Sequence, residues 1–174
     1  GLNDLSDVDA LIERYNDTLY KGHVSRRIEH EMGHFFVKGD EDDVVAILRG
    51  LLKLSDRGVR GYASMCDAWL AENQGIVDDP AKVDALGKIF ADTRAALVYG
   101  SAGTGKTTMV NYVCSLLRGL SKVAIASTNP AVDSLRRKIK DNGCMFMTVA
   151  KYLAHPHSCD LLIVDECSTV CNLD

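Results

Sequence analysis

The stretch Gly100-Ser101-Ala102-Gly103-Thr104-Gly105-Lys106-Thr107 constrains this chain more than any other. It fits the pattern G-x-x-x-x-G-K-[ST], in which glycines let backbone N–H groups converge on phosphate oxygens. A helix has to begin at its end, because the helix N-terminus adds positive partial charge at the same point. The apolar residues 95–99 lead in and read as a strand, and residues 106–118 follow as a helix. In this chemistry Lys106 reaches the outer phosphates of a nucleotide, and the Thr107 hydroxyl binds Mg²⁺.

A second segment points the same way. Leu161-Leu162-Ile163-Val164-Asp165-Glu166 is an apolar run ending in two acids. A buried strand with Asp165 at its tip can hold the shell of a Mg²⁺ ion, and Glu166 can orient and deprotonate an attacking water. Between loop and acids, apolar runs at 122–126 and 145–149 alternate with helical patterns at 130–141 and 149–154. That rhythm predicts a parallel sheet with crossover helices.

The first half has another texture. Leu5, Val8, Leu11, Ile12 and Tyr15 recur at helical spacing. Further helices are predicted over roughly 24–37, 41–54 and 58–73, and Asp78-Asp79-Pro80 opens one more, since proline suits the first turn after an acidic cap. The reading is a helical region over residues 1–78 and an α/β domain over residues 79–174.

Charge follows the same division. Residues 1–94 hold 18 acidic and 12 basic side chains, and residues 95–174 hold 6 acidic and 8 basic. A nucleic-acid surface therefore belongs to the second half. No apolar run is long enough for a membrane helix, and no secretory signal pattern is present. The six cysteines read as reduced, mostly buried thiols of an intracellular protein, cytoplasmic or nucleoid-associated. Gly1 in place of Met reads as a processed tag or an excised piece of a longer protein.

Four segments now carry a family resemblance. Gly100 to Thr108 (GSAGTGKTT) resembles motif I of superfamily 1 helicases, and Ser127-Thr128-Asn129-Pro130-Ala131-Val132-Asp133-Ser134-Leu135 resembles their motif Ia. Thr148-Val149-Ala150-Lys151-Tyr152-Leu153 resembles the short threonine motif that follows, and Asp165-Glu166-Cys167-Ser168 resembles motif II. The likeness leans to the branch of RNA-decay helicases and their RecD-like relatives. It implies a partial RecA-like P-loop NTPase sheet and an ATP-driven motor on single-stranded DNA or RNA. ATP would be held by Gly100, Ser101, Ala102, Gly103, Thr104, Gly105, Lys106, Thr107 and Thr108, with Mg²⁺ on Thr107 and Asp165. Lys106 and Glu166 would be catalytic, and Ser127, Thr128 and Asn129 would touch the nucleic-acid backbone. Asn129 is read as a helix cap with Pro130 following, and Arg136, Arg137, Lys138 and Lys140 as basic residues that add field to that surface. Two features depart from the family pattern. Residues 78–94 contain no glutamine for adenine selection, and neither motif III nor a second RecA-like domain occurs within these 174 residues. The chain by itself is therefore not expected to unwind a duplex. The strand that would separate 95–99 from 161–165 is missing too, so those two strands are expected to pair directly, to accept another chain, or to lose the region past 155.

Other readings compete. His30-Glu31-Met32-Gly33-His34 fits H-E-x-x-H, which on a helix would place two histidines on one face for zinc, with Glu31 as base. No third ligand follows in a recognisable motif, so zinc is not expected. A nucleotide kinase or signalling ATPase would need a substrate lid after residue 120, and none is seen. The third alternative is a non-catalytic module, in which residues 1–78 dock a protein partner.

Overall fold

The computed structural model describes residues 5–101 and 103–165, and the chain divides into two units, Gly1–Arg57 and Gly58–Asp174. The first unit begins with α1 (Leu5–Asp17) and a short 3₁₀ segment (Lys21–Arg26). Next come strands β1 (Ile28–Glu31) and β2 (His34–Val37), then helix α2 (Lys38–Leu54). The helix expected over 24–37 is thus an antiparallel hairpin. Its cause lies in the turn, where Met32 and Gly33 both take positive φ, 50° and 77°. A two-residue turn of that kind matches the twist of paired strands. Ile28, Phe35, Phe36 and Val37 are good strand formers on either side of it. Asn16 of α1 completes the edge: its amide donates to the Ile28 carbonyl and accepts from the Ile28 N–H, at 2.8 and 2.9 Å.

The second unit starts with helices α3 (Tyr62–Glu72) and α4 (Pro80–Lys88). Asp79 caps α4 by accepting from the Ala81 N–H at 2.9 Å, as the acid-proline signal predicts. Then follow α5 (Lys106–Leu116), β3 (Lys122–Ala126), α6 (Asn129–Lys138), β4 (Cys144–Thr148), α7 (Val149–Ala154) and β5 (Leu161–Val164). The three strands form a parallel sheet in the order β4-β3-β5. Lys122 stands beside Cys144 and Leu161, and Ile125 beside Met147 and Val164. Every residue of the central strand β3 is buried, which its apolar run requires of a parallel strand covered on both faces.

Helices α5 and α6 cover one face, where Cys114, Val132 and Leu135 meet Ala124 and Ala126. Helix α7 covers the other, where Val123, Ile125 and Met147 lie against Val149 and Tyr152. A second cluster joins α3, α4 and α5 through Tyr62, Trp69, Leu86, Met109 and Val113. The Tyr62 hydroxyl donates to the Leu86 carbonyl at 2.7 Å inside it, and burial pushes that phenol above the usual tyrosine range.

Residues 95–99 differ from expectation. They form no strand, and Leu97 and Tyr99 are 73% and 93% exposed. Among the described residues, 95–99 does not pair with β5, and Leu161–Val164 is not displaced but lies in register on β3. An apolar run becomes a strand only beside a partner. Among the described residues no strand flanks 95–99, and no ladder forms; Ala95 instead donates its N–H to the Thr93 hydroxyl and accepts from it, both at 3.0 Å.

Candidate nucleotide-binding site

The phosphate loop has the shape its sequence demands. Gly103 and Gly105 take φ of 83° and 82°, a region open to glycine and costly to other residues. Gly105 is the N-cap of α5, and among the described residues no side chain caps the first-turn N–H groups there. Helices α4, α6 and α7 are capped by Asp79, Thr128 and Thr148, while α2 and α3, like α5, begin without a side-chain cap. The amino end of α5 is therefore left with bare donors and its full positive partial charge. The Lys106 ammonium folds along the loop and donates to the carbonyls of Gly100 and Ser101, at 2.7 and 2.9 Å. Among the described residues these are its two hydrogen-bond partners, and neither is a carboxylate. Thr104 fastens the loop by donating from Oγ1 to the Ser101 carbonyl at 2.9 Å. Thr107 is half-buried and Thr108 exposed in the first turn of α5. These residues fit the polyphosphate of a nucleotide. Ala102 lies outside the described residues.

Topology brings the other predicted residues to the same end of the sheet. A tight turn, with the Leu120 N–H on the Leu117 carbonyl, joins α5 to the start of β3. The helix therefore ends at the amino edge of the sheet. Its 11 residues, about 16 Å at 1.5 Å each, return its beginning to the carboxyl edge. Ser127, Thr128 and Asn129 follow β3 at that edge, and Asp165 follows β5 with its N–H on the Ile125 carbonyl at 3.0 Å. By this topology the loop, the motif Ia residues and Asp165 all lie toward the carboxyl edge of the sheet, the edge at which parallel α/β folds carry their ligand crevice. Glu166, Cys167 and Ser168 lie outside the described residues.

Two expectations change, and one competing reading loses the helix it needs. The cap of α6 is Thr128, whose hydroxyl accepts from the Ala131 N–H at 3.4 Å; Asn129 is the first helical residue and is exposed. Sequence favours either residue as a cap, and Thr128 wins because its backbone is extended, with φ −129° and ψ 158°. Next, the basic residues of α6 do not join the crevice. The helix runs back to the amino edge, so Arg136, Arg137 and Lys140 line a groove of about 460 Å³ beside the start of β4. Arg136 pairs there with Asp133 at 3.1 Å and covers the Phe146 ring at 5.6 Å. Finally, H-E-x-x-H builds no zinc face. Register pairs His30 with Phe35 and Glu31 with His34, which puts the two histidines on opposite faces of the hairpin. His30 stacks on Phe35 with ring centres 4.3 Å apart, and its Nδ1 meets Asp9 at 2.8 Å. Among the described residues no group of three histidine, cysteine or acidic side chains could hold a metal ion.

Of the described cysteines, Cys66, Cys114 and Cys144 are buried. Burial raises Cys114 to about 12 and Cys144 to about 11, so both stay protonated thiols. Among the described residues no helix is long and apolar enough to cross a membrane.

Residues 79–174 match a protein family described as an AAA domain. Over 69 residues the chain is 44% identical to the DNA replication ATP-dependent helicase/nuclease JHS1 of Arabidopsis thaliana. That stretch is 38% of this chain and 5% of the relative, so the chain spans a small fraction of the relative's length. No solved structure matches it.

Proposed function

This chain belongs to the AAA domain family and is superfamily 1 helicase-like, and from that premise we propose that it is the nucleotide-binding part of an ATP-driven helicase motor. The observation that carries the reading is the start of α5, uncapped among the described residues and wrapped by a loop whose lysine meets no described carboxylate. Gly100 to Thr108 would hold the phosphates of ATP, and Lys106 would balance charge on the outer ones. The Thr107 hydroxyl and the Asp165 carboxylate would hold Mg²⁺, which supplies charge neutralisation when bound. Glu166 would orient a water and accept its proton. Exposed Thr128 and Asn129, with Ser127, would meet the sugar-phosphate backbone of a single strand of DNA or RNA at the carboxyl edge.

The ATPase domain is taken as residues 79–174 and the preceding region, 1–78, as the place of a protein partner. A motor of this kind acts inside the cell, in the cytoplasm or at the nucleoid. Unwinding belongs to a full motor with a second domain; the 174-residue chain binds ATP and turns it over slowly or not at all. Calorimetric titration with Mg·ATP tests the assignment. The intact chain gives a saturable signal, and Lys106→Ala abolishes it. Equal binding by the variant would sink the reading.

A further inference from the structure

We propose that Lys82 of α4 is a second cation for the bound nucleotide, acting from outside the loop; this rests on the ATP-binding reading above. Residues 78–94 offer no glutamine, yet one side chain from this segment does reach the loop. A Cβ placed on Gly105 would lie 3.7 Å from Cε and 3.9 Å from Nζ of Lys82. The ammonium therefore sits within about 5.5 Å of the Gly105 backbone, at the first turn of α5. Its stem packs against a residue that has no side chain.

The electrostatics of that position are unusual. The amino end of α5 carries positive partial charge with no capping side chain among the described residues. Lys106 adds a full charge whose described hydrogen bonds go to carbonyls. Lys82 adds another, and its carboxylate partner Asp78 is 3.6 Å away and 81% exposed. A pair that open to water offsets little. Three positive features around one loop repel one another in the ligand-free protein, and a ligand with several negative charges turns that repulsion into attraction. A nucleoside triphosphate is such a ligand. Lys82 also ties α4, and through Leu86 the α3–α4–α5 cluster, to the state of the site.

The test uses the full chain in four forms: unaltered, Lys82→Met, Lys82→Arg and Lys106→Ala. Methionine keeps most of the packing stem and removes the charge. Titrated calorimetrically with Mg·ATP, Lys82→Met should bind about tenfold more weakly, the scale of one hydrogen bond to a charged group. Lys82→Arg should stay within about threefold of the unaltered chain, since it keeps the charge. The salt dependence of binding should flatten in Lys82→Met. Its ligand-free melting temperature should hold or rise, because a repulsion is gone. Lys82→Met binding within about twofold of the unaltered chain, well short of the scale of one such hydrogen bond, would overturn the proposal while the ATP reading stands. Weaker binding with a lowered ligand-free melting temperature and no rescue by arginine would make Lys82 a structural prop, and would overturn it too. No binding by the unaltered chain, or unchanged binding by Lys106→Ala, would remove the ATP reading itself.

Discussion

Residues 1–57 and residues 58–174 both carry apolar stripes at helical spacing, yet only the second unit buries them. In the first, no described side chain is buried, and Val44, Ile47, Leu48 and Leu52 of α2 are all exposed. In the second, α3, α4 and α5 enclose Leu86 completely, and two layers of helix enclose β3. A stripe says which face of a helix is apolar; it does not supply the opposing layer. The first unit draws its order from local devices, namely a two-residue turn and one amide that serves a strand edge. The second draws it from burial, which is the dominant favourable force in holding a domain together.

The contrast breaks first at leucines of equal chemistry. Leu86→Ala leaves a cavity in a site with no exposure, and should cost about 2–5 kcal/mol in the main unfolding transition. Leu48→Ala, on the exposed face of α2, should move that transition by no more than about 0.5 kcal/mol. Denaturant titration followed by Trp69 fluorescence, which reports the second unit, measures both. Equal effects would mean that the two units share one cooperative core.

Legibility follows the same line. The loop, the Asp79-Pro80 cap and the three sheet strands are readable because each rests on local chemistry or on a continuous apolar run. The hairpin is not, because Met32-Gly33 lacks the Asn-Gly or Asp-Gly signature of its turn and H-E-x-x-H suggests a helix. Residues 95–99 mislead for a different reason: strand propensity is present, but a ladder is a property of two segments. The approach of Lys82 to Gly105 leaves no sequence signal, since it depends on how α4 and α5 pack. In the site, loop and acid are legible as types, while the retreat of Arg136 and Arg137 to the far edge requires the direction of α6.

The second unit has an acid weakness that the first has no buried pair to share, among the described residues. Lys122 is 2% exposed and meets Asp141 at 3.1 Å. Burial acts to raise the Asp141 pKa, but hydrogen bonds from Lys122 and from the Gly143 N–H outweigh it and hold the carboxyl below its usual range. A depressed folded pKa means stability that is full above the unfolded value, about 3.9, and is lost as pH falls through the folded one. Asp141→Asn should therefore destabilise the second unit at neutral pH, and the gap to the unaltered chain should close below about pH 4 as the native carboxyl protonates. Asp160, lowered by its hydrogen bonds from Ser121, adds a parallel but exposed contribution that the variant leaves in place. Melting curves from pH 7 to 3 on both proteins decide the point. A gap that persists unchanged to pH 3 would mean the Asn side chain disturbs packing rather than charge.

The smallest effect lies in the hairpin of the first unit. Met32 takes a φ of 50°, where an unbranched side chain with a Cβ is strained, and it is 96% exposed, so its side chain contributes no packing in return. Asparagine tolerates that conformation, and Asn-Gly is the favoured pair for this turn. Met32→Asn should therefore stabilise the hairpin locally by a few tenths of a kcal/mol to about 1 kcal/mol. The gain should appear as slower hydrogen exchange at amides of the hydrogen-bonded pairs across β1 and β2, such as those of Glu29 and Phe36. It should leave the melting of the second unit where it was, since the hairpin belongs to Gly1–Arg57. A rise in that melting temperature would show that the turn is coupled to the buried core. Unchanged exchange in the hairpin would show that strain at Met32 is not what limits it.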